Sequence, residues 1–149
     1  PISLDLIEKI EAVEGVARVS AEITMMLDED PSSVNLGIPS NINGVDLRGE
    51  GYEDFDFRIA EGRELTLDDA GKAVIGSDLV SKLDAEVGGT VDLRGTEFEV
   101  IGIYERTLTS PDQAVKILLS DAQELLVMNL PPAIRAQVDA KDLATSMVV

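Results

Sequence analysis

Thr90-Val91-Asp92-Leu93-Arg94-Gly95-Thr96-Glu97-Phe98-Glu99-Val100-Ile101-Gly102-Ile103-Tyr104 decides how the rest of the chain is read. Residues 90–93 and 98–104 are strands by alternation and β-branched content. Arg94-Gly95-Thr96-Glu97 joins them at hairpin length, and Gly95 supplies the positive φ that a tight turn requires. Just upstream, Lys72-Ala73-Val74-Ile75-Gly76 is a short aliphatic strand expected to be buried. Ser77 is placed to cap a helix whose inner face carries Leu79, Val80 and Leu83, ended by Gly88-Gly89. Close backbone approach is expected at Gly76, where strand meets helix. Upstream again lies Ile59-Ala60-Glu61-Gly62-Arg63-Glu64-Leu65, leading into Asp68 and Asp69.

Outward from this centre, residues 3–13 carry Leu6, Ile7, Ile10 and Val13 at helical spacing, with Ser3 as cap and Gly15 as stop. From Val16 the period becomes two: Val19, Ala21, Ile23 and Met25 alternate with Arg18, Ser20, Glu22 and Thr24, a strand with one buried face. Residues 28–33 form a loop by composition, 34–38 and 42–47 two short extended pieces, and 49–51 a break. Residues 52–59 fit helix and strand equally. Residues 107–112 read as a loop and 114–119 as a strand. Ser120-Asp121-Ala122-Gln123 has the form of a capping box opening a helix to about Val127, and Pro131-Pro132 forbids its continuation. Alternation over 134–138 predicts a final strand, and Asp139 or Lys141-Asp142 a last helix containing Leu143 and Met147.

The opening helix–strand and closing strand–helix are each too small to bury a face alone. Pairing them gives one α/β layer, with residues 34–127 as a β-rich insertion between them. The expected fold class is therefore α+β.

The chain has 149 residues, 44% of them hydrophobic, enough for a core, but only three Phe, two Tyr and no Trp, so that core is aliphatic. A net charge of −17 argues against nucleic acid and against anionic lipid headgroups as partners. With neither Cys nor His, thiolate metal sites, Cys nucleophiles and Ser-His-Asp triads are excluded. No apolar run is long enough to span a bilayer. The chain opens at Pro1-Ile2-Ser3 directly on a helical pattern and stops on Met147-Val148-Val149, as a segment lying between two membrane helices would.

The three signals between Phe57 and Glu105, in their order and spacing, resemble the MacB-like periplasmic core domain, the extracytoplasmic portion of FtsX-type ABC-transporter permeases. Val13-Glu14-Gly15-Val16 is similar to the helix-to-strand turn that opens such domains, and Asn43-Gly44-Val45-Asp46 to a segment they carry downstream. The resemblance implies a single extracytoplasmic domain over 1–149: a Porter-like α/β lobe from about 1–30 plus 128–149, and an inserted lobe over about 31–127. It also implies membrane helices flanking the domain, so that both chain ends emerge on one side, together with a cytoplasmic ATPase subunit and a homodimeric or paired permease. The sequence offers no Walker motif, and no cofactor is expected.

The residues singled out are structural: Gly62, Arg63, Gly76, Ser77, Gly95 and Gly102. Gly62-Arg63 corresponds in the resemblance to a pair closing a turn before the strand–Gly–helix segment. Arg63 is expected to bond loop carbonyls or to pair with Glu61, Asp68 or Asp69. Gly76-Ser77-Asp78 has the placement of an anion-binding strand-to-helix turn, yet lacks the Gly-Lys-Ser/Thr of a P-loop and the further glycines of a dinucleotide fingerprint. The acidic clusters at 28–30, 53–56 and 68–69 offer oxygen ligands for calcium but none follows an EF-hand loop, so solvation is the expected role. No catalytic residue is expected. The alternative reading is an acidic cell-surface module binding a ligand or calcium, followed by a small carboxylate-based hydrolase.

Overall fold

The computed structural model describes residues 2–28, 38–49 and 57–148. Its strands are β1 (Ile2–Ser3), β2 (Ser20–Met26), β3 (Asn41–Val45), β4 (Ile59–Gly62), β5 (Lys72–Ile75), β6 (Thr90–Leu93), β7 (Thr96–Tyr104), β8 (Ala114–Leu118), β9 (Leu143–Ala144) and β10 (Ser146–Val148). The helices are α1 (Asp5–Glu11), α2 (Leu79–Leu83), α3 (Leu119–Met128) and α4 (Pro132–Arg135). Eight strands form one mixed sheet in the order β10-β2-β3-β8-β5-β7-β4, with β6 also on β7. The fold is α+β and dominated by its sheet.

Two-residue periodicity sorts the side chains between the sheet's two faces. Ala21, Ile23 and Met25 of β2, Ile42 of β3, Ile75 of β5 and Val115 and Ile117 of β8 share one core with Leu119, Ala122 and Leu125 of α3. Neighbouring Val74 points the other way, into a second cluster with Leu65, Ile101 and Tyr104, flanked by Leu47, Phe57 and Ile59. Fully burying one such aliphatic side chain contributes about 1.5–3 kcal/mol. Helix α3 lies close on the sheet because β3 has Gly44 beneath it: a β-carbon there would overlap the Ala122 methyl and sit 3.4 Å from Leu119 Cα.

The two ends of the chain are joined. Strand β1 pairs antiparallel with β9, Ile2 opposite Ala144. Strand β9 leads through Thr145 into β10, antiparallel to β2 with Val148 opposite Ser20. The C-terminal strand β10 therefore runs toward the Ser20 end of the sheet, and Ile2 lies beside Ala144, two residues before β10 begins. The 105–113 segment lies at the other end, since it leads into Ala114, opposite Asn41, itself opposite Met26. Hydrogen bonding is unbroken from β10 and β2 into β3.

Several local expectations are corrected. Residues 134–138 are not a strand: Pro131 and Pro132 preset helical φ at the start of α4, whose residues are all exposed. The last helix is also absent. Residues 140–142 make one 3-10 turn, and Leu143 and Met147 lie in β9 and β10, too short for periodicity to reveal. Ser120-Asp121-Ala122-Gln123 forms no capping box; Leu118 is the N-cap, and the buried Gln123 amide donates to Lys141 O (3.2 Å) and Leu143 O (2.9 Å). Helix α2 ends at Asp84 in the left-handed conformation (φ +50), ahead of Gly88-Gly89. The β6–β7 connection is the two-residue Arg94-Gly95 turn, Leu93 facing Thr96. Strand β2 starts at Ser20, after an irregular 16–19, and α1 is capped at Leu4 with Leu6 and Val13 exposed. Residues 29–37 and 50–56, and with them most of the expected 34–38 and 52–59 pieces, lie outside the described residues.

Candidate functional site

Strands β4 and β7 meet where two glycines face each other, Gly62 opposite Gly102. Gly62 has φ +74, and a β-carbon on it would overlap the Ile101 carbonyl. One on Gly102 would overlap the Arg63 carbonyl. Only glycine permits this crossing, which the Arg63 N–H closes by donating to Ile101 O at 2.9 Å.

From the crossing, the Arg63 guanidinium forks onto Asp69 at 2.6 and 2.8 Å and also donates to Glu64 O at 3.1 Å. Of the three acids named from sequence, Asp69 is the partner. It is buried, 2% exposed, and accepts further from the Thr66 N–H (2.7 Å) and hydroxyl (2.9 Å), with Lys72 at 3.4 Å. The Arg63 hydrogen bonds, helped by those from Thr66, hold its carboxyl far below the usual range against the opposing effect of burial. The Arg63 pKa rises in turn, chiefly through the same bond. With its oxygens thus occupied by Arg63, Thr66 and Lys72, Asp69 staples the 64–69 loop to the start of β5 and joins no group of metal ligands among the described residues.

Glu64 extends the network. It accepts from the Tyr104 hydroxyl at 2.5 Å and faces Lys116 at 3.4 Å, while the Lys116 ammonium stands 5.9 Å from the Tyr104 ring centre. Burial, then the Glu64 charge and hydrogen bond, raise the Tyr104 pKa strongly, so the phenol stays protonated. Phe57 packs edge-on against it, centroids 5.8 Å apart.

Strand β7 then runs directly into the second constellation, the 105–113 loop. Gly76 is its floor: its N–H donates to Ala114 O at 2.8 Å, and a β-carbon there would lie 2.6 Å from Asp112 O. Asp112, 1% exposed, accepts from the Thr107 N–H (2.9 Å), the Thr107 hydroxyl (2.9 Å) and the Leu108 N–H (2.6 Å). Burial pushes its pKa up, but those bonds and the nearby Ser77 hydroxyl outweigh it, leaving the carboxyl below its ordinary value. Ser77 does not cap α2; Asp78 is the N-cap, and the Ser77 Oγ is buried beside Asp112 without a hydrogen bond of good geometry. Asp78 holds the loop's flanks, accepting from Gln113 at 3.0 Å and pairing with Arg106 at 3.2 Å. Above this brace Leu108 sits at φ +61.

The structure thus brings together Gly62, Arg63 and Gly102, and separately Gly76 and Ser77. Gly95 stands apart at the hairpin tip with φ +91, its N–H donating to Asp92 at 2.9 Å. Sequence reading missed the two carboxylates that organise each group as a unit. Asp69 was one of three candidates, and Asp112 was lost in a Thr/Ser/Pro/Asp stretch whose polarity reads only as loop. Chemically the arrangement builds shape. The chain holds no His to activate Ser77, and among the described residues no three of His, Cys, Asp or Glu stand together as a metal site. Glu29, Asp30, Glu53, Asp54 and Asp56 lie outside the described residues. Among the described residues no helix is long and apolar enough to cross a membrane.

The family model of the MacB-like periplasmic core domain matches residues 1–146. Among solved structures, the extracellular domain of the ABC-type transporter YknZ from Gram-positive bacteria is similar, with TM-score 0.55 and 21% identity over 78% of this chain. This chain covers 62% of that one. The periplasmic region of MacB from Actinobacillus actinomycetemcomitans is similar with TM-score 0.54 and 14% identity, over 92% of this chain and 70% of that one. No curated protein matches the sequence significantly.

Proposed function

The chain belongs to the MacB-like periplasmic core domain family, and on that premise we propose that it is the extracytoplasmic domain of an ABC-transporter permease. In this reading it is not an enzyme. It works beside a second permease copy or a paired permease, with a separate cytoplasmic ATPase, and passes ATP-driven movement of membrane helices to a substrate or partner outside. The observation that carries the reading is the joining of the two chain ends: β1 pairs with β9, which leads through Thr145 into β10. A domain tethered at both ends to one membrane face requires this arrangement, and movement of the flanking helices would turn it as one body. In this reading the single domain has two lobes, about 1–30 plus 128–149 and about 31–127, that move together.

The reading is tested in the full-length protein. The chain has no Cys, so a Glu97→Cys substitution in a permease cleared of other cysteines gives one reporter thiol. It should react with a membrane-impermeant maleimide on intact cells, and the solubilised permease should co-purify with an ATPase subunit. Labelling only after permeabilisation, or purification without any ATPase, would sink the proposal.

A further inference from the structure

Leu108 is the most exposed large hydrophobic residue among those described, at 80%, and it holds a left-handed backbone that a leucine side chain disfavours. A residue like this in a slack loop would relax. Here it cannot, because Asp112 gathers the Thr107 and Leu108 N–H groups onto one buried carboxylate, and the Thr107 hydroxyl bonds Thr109 at 2.5 Å. Strain and apolar exposure, fixed by a buried charge, mark a segment shaped for something other than the stability of its own fold.

We propose that Leu108 is a preformed docking knob that inserts into an apolar, Lys/Arg-rimmed socket of a partner protein outside the membrane. Charge chooses among possible occupants. A second copy of this chain brings another −17, and an anionic lipid surface repels as well. A basic-rimmed protein is attracted. Arg106 of the same loop is exposed but is matched by Asp78 at 3.2 Å, which leaves the exposed Glu105, three residues before the knob, as the loop's unmatched charge for the rim among the described residues. Position agrees: the knob stands at the end of the sheet opposite to that toward which the C-terminal strand β10 runs. Because the loop is already rigid, little ordering entropy is lost on docking.

This inference deepens the permease reading and rests on it. The probe is p-benzoylphenylalanine at position 108 of the full-length permease, photolysed in cells. The captured protein is identified, purified, and titrated against wild type, Leu108→Asn and Leu108→Asp. One cross-linked protein is expected, bound at least about tenfold more weakly by both variants. Leu108→Asn should meanwhile melt no lower than wild type, because asparagine tolerates the left-handed conformation. Cross-links to lipid or to a second permease copy, no cross-link, equal affinity, or a large drop in the melting temperature of Leu108→Asn would each overturn the proposal. ATPase co-purification separates the failures: if it persists while position 108 captures nothing, the knob is wrong and the permease reading stands.

Discussion

Replacing Gly44 with alanine should force α3 away from the sheet. The new methyl would occupy the space of the Ala122 methyl and press on Leu119 Cα and Leu118 O, 3.4 and 3.5 Å away. Overpacking of this kind costs about 1–3 kcal/mol, offset by up to about 1 kcal/mol because alanine is less free than glycine when unfolded. A net loss of about 1–2 kcal/mol is expected in urea unfolding, with the m-value unchanged. Ala122→Gly alone should cost a similar amount, about 1 kcal/mol from helix propensity and somewhat less from the lost buried methyl. Combined, the two substitutions move one methyl from helix to strand and remove the clash. The double variant should therefore be more stable than the sum of the singles predicts, by about 1 kcal/mol or more. Additivity to within about 0.5 kcal/mol would refute direct contact between β3 and α3 at this point.

Two further outcomes follow from the loops. Asp69→Asn should lose about 2 kcal/mol at pH 7, the figure discounted because Arg63 is half exposed; since the folded Asp69 carboxyl titrates far below its ordinary 3.8, its contribution is complete above about pH 4 and fades as pH falls, so the gap between variant and wild type should narrow in acid melts, and a constant or widening gap would contradict the pairing. Gly95→Val should cost about 1 kcal/mol or more, because Gly95 has φ +91; an unchanged melting temperature would refute the Arg94-Gly95 turn.

Much of the sheet could be read from sequence where a segment is long enough to show its period and is packed on one face. Strand β2 announced Ala21, Ile23 and Met25, all buried, and the β6–β7 hairpin announced its own turn. Prediction failed where distant partners decide. Strands β9 and β10 have two and three residues and exist because β1 and β2 offer them edges. Gln123, Ser77 and Gly76 illustrate the same limit at the level of single residues. Gln123 and Ser77 had plausible local capping roles, but Gln123 was taken by carbonyls some twenty residues away and Ser77 turned inward toward Asp112. Close approach at Gly76 was expected, yet nothing local said that its neighbour would be the 111–114 backbone. The Arg63–Asp69 pair was partly legible because its members are six residues apart. The Asp112 brace was not, since its meaning lies in the backbone it gathers.

The central claim is that this domain moves as one body when ATP drives its permease. Spin labels at Glu97→Cys and Ser110→Cys of the full-length permease, in complex with its ATPase, report on this through pulsed electron paramagnetic resonance. Both sites are exposed and stand near opposite ends of the sheet. Between nucleotide-free and ATP-trapped states, the distance between Ser110→Cys labels on neighbouring permease copies should shift. The distance from position 97 to position 110 within one copy should stay fixed. An unchanged inter-copy distance, or a change within the single domain, would contradict rigid-body coupling.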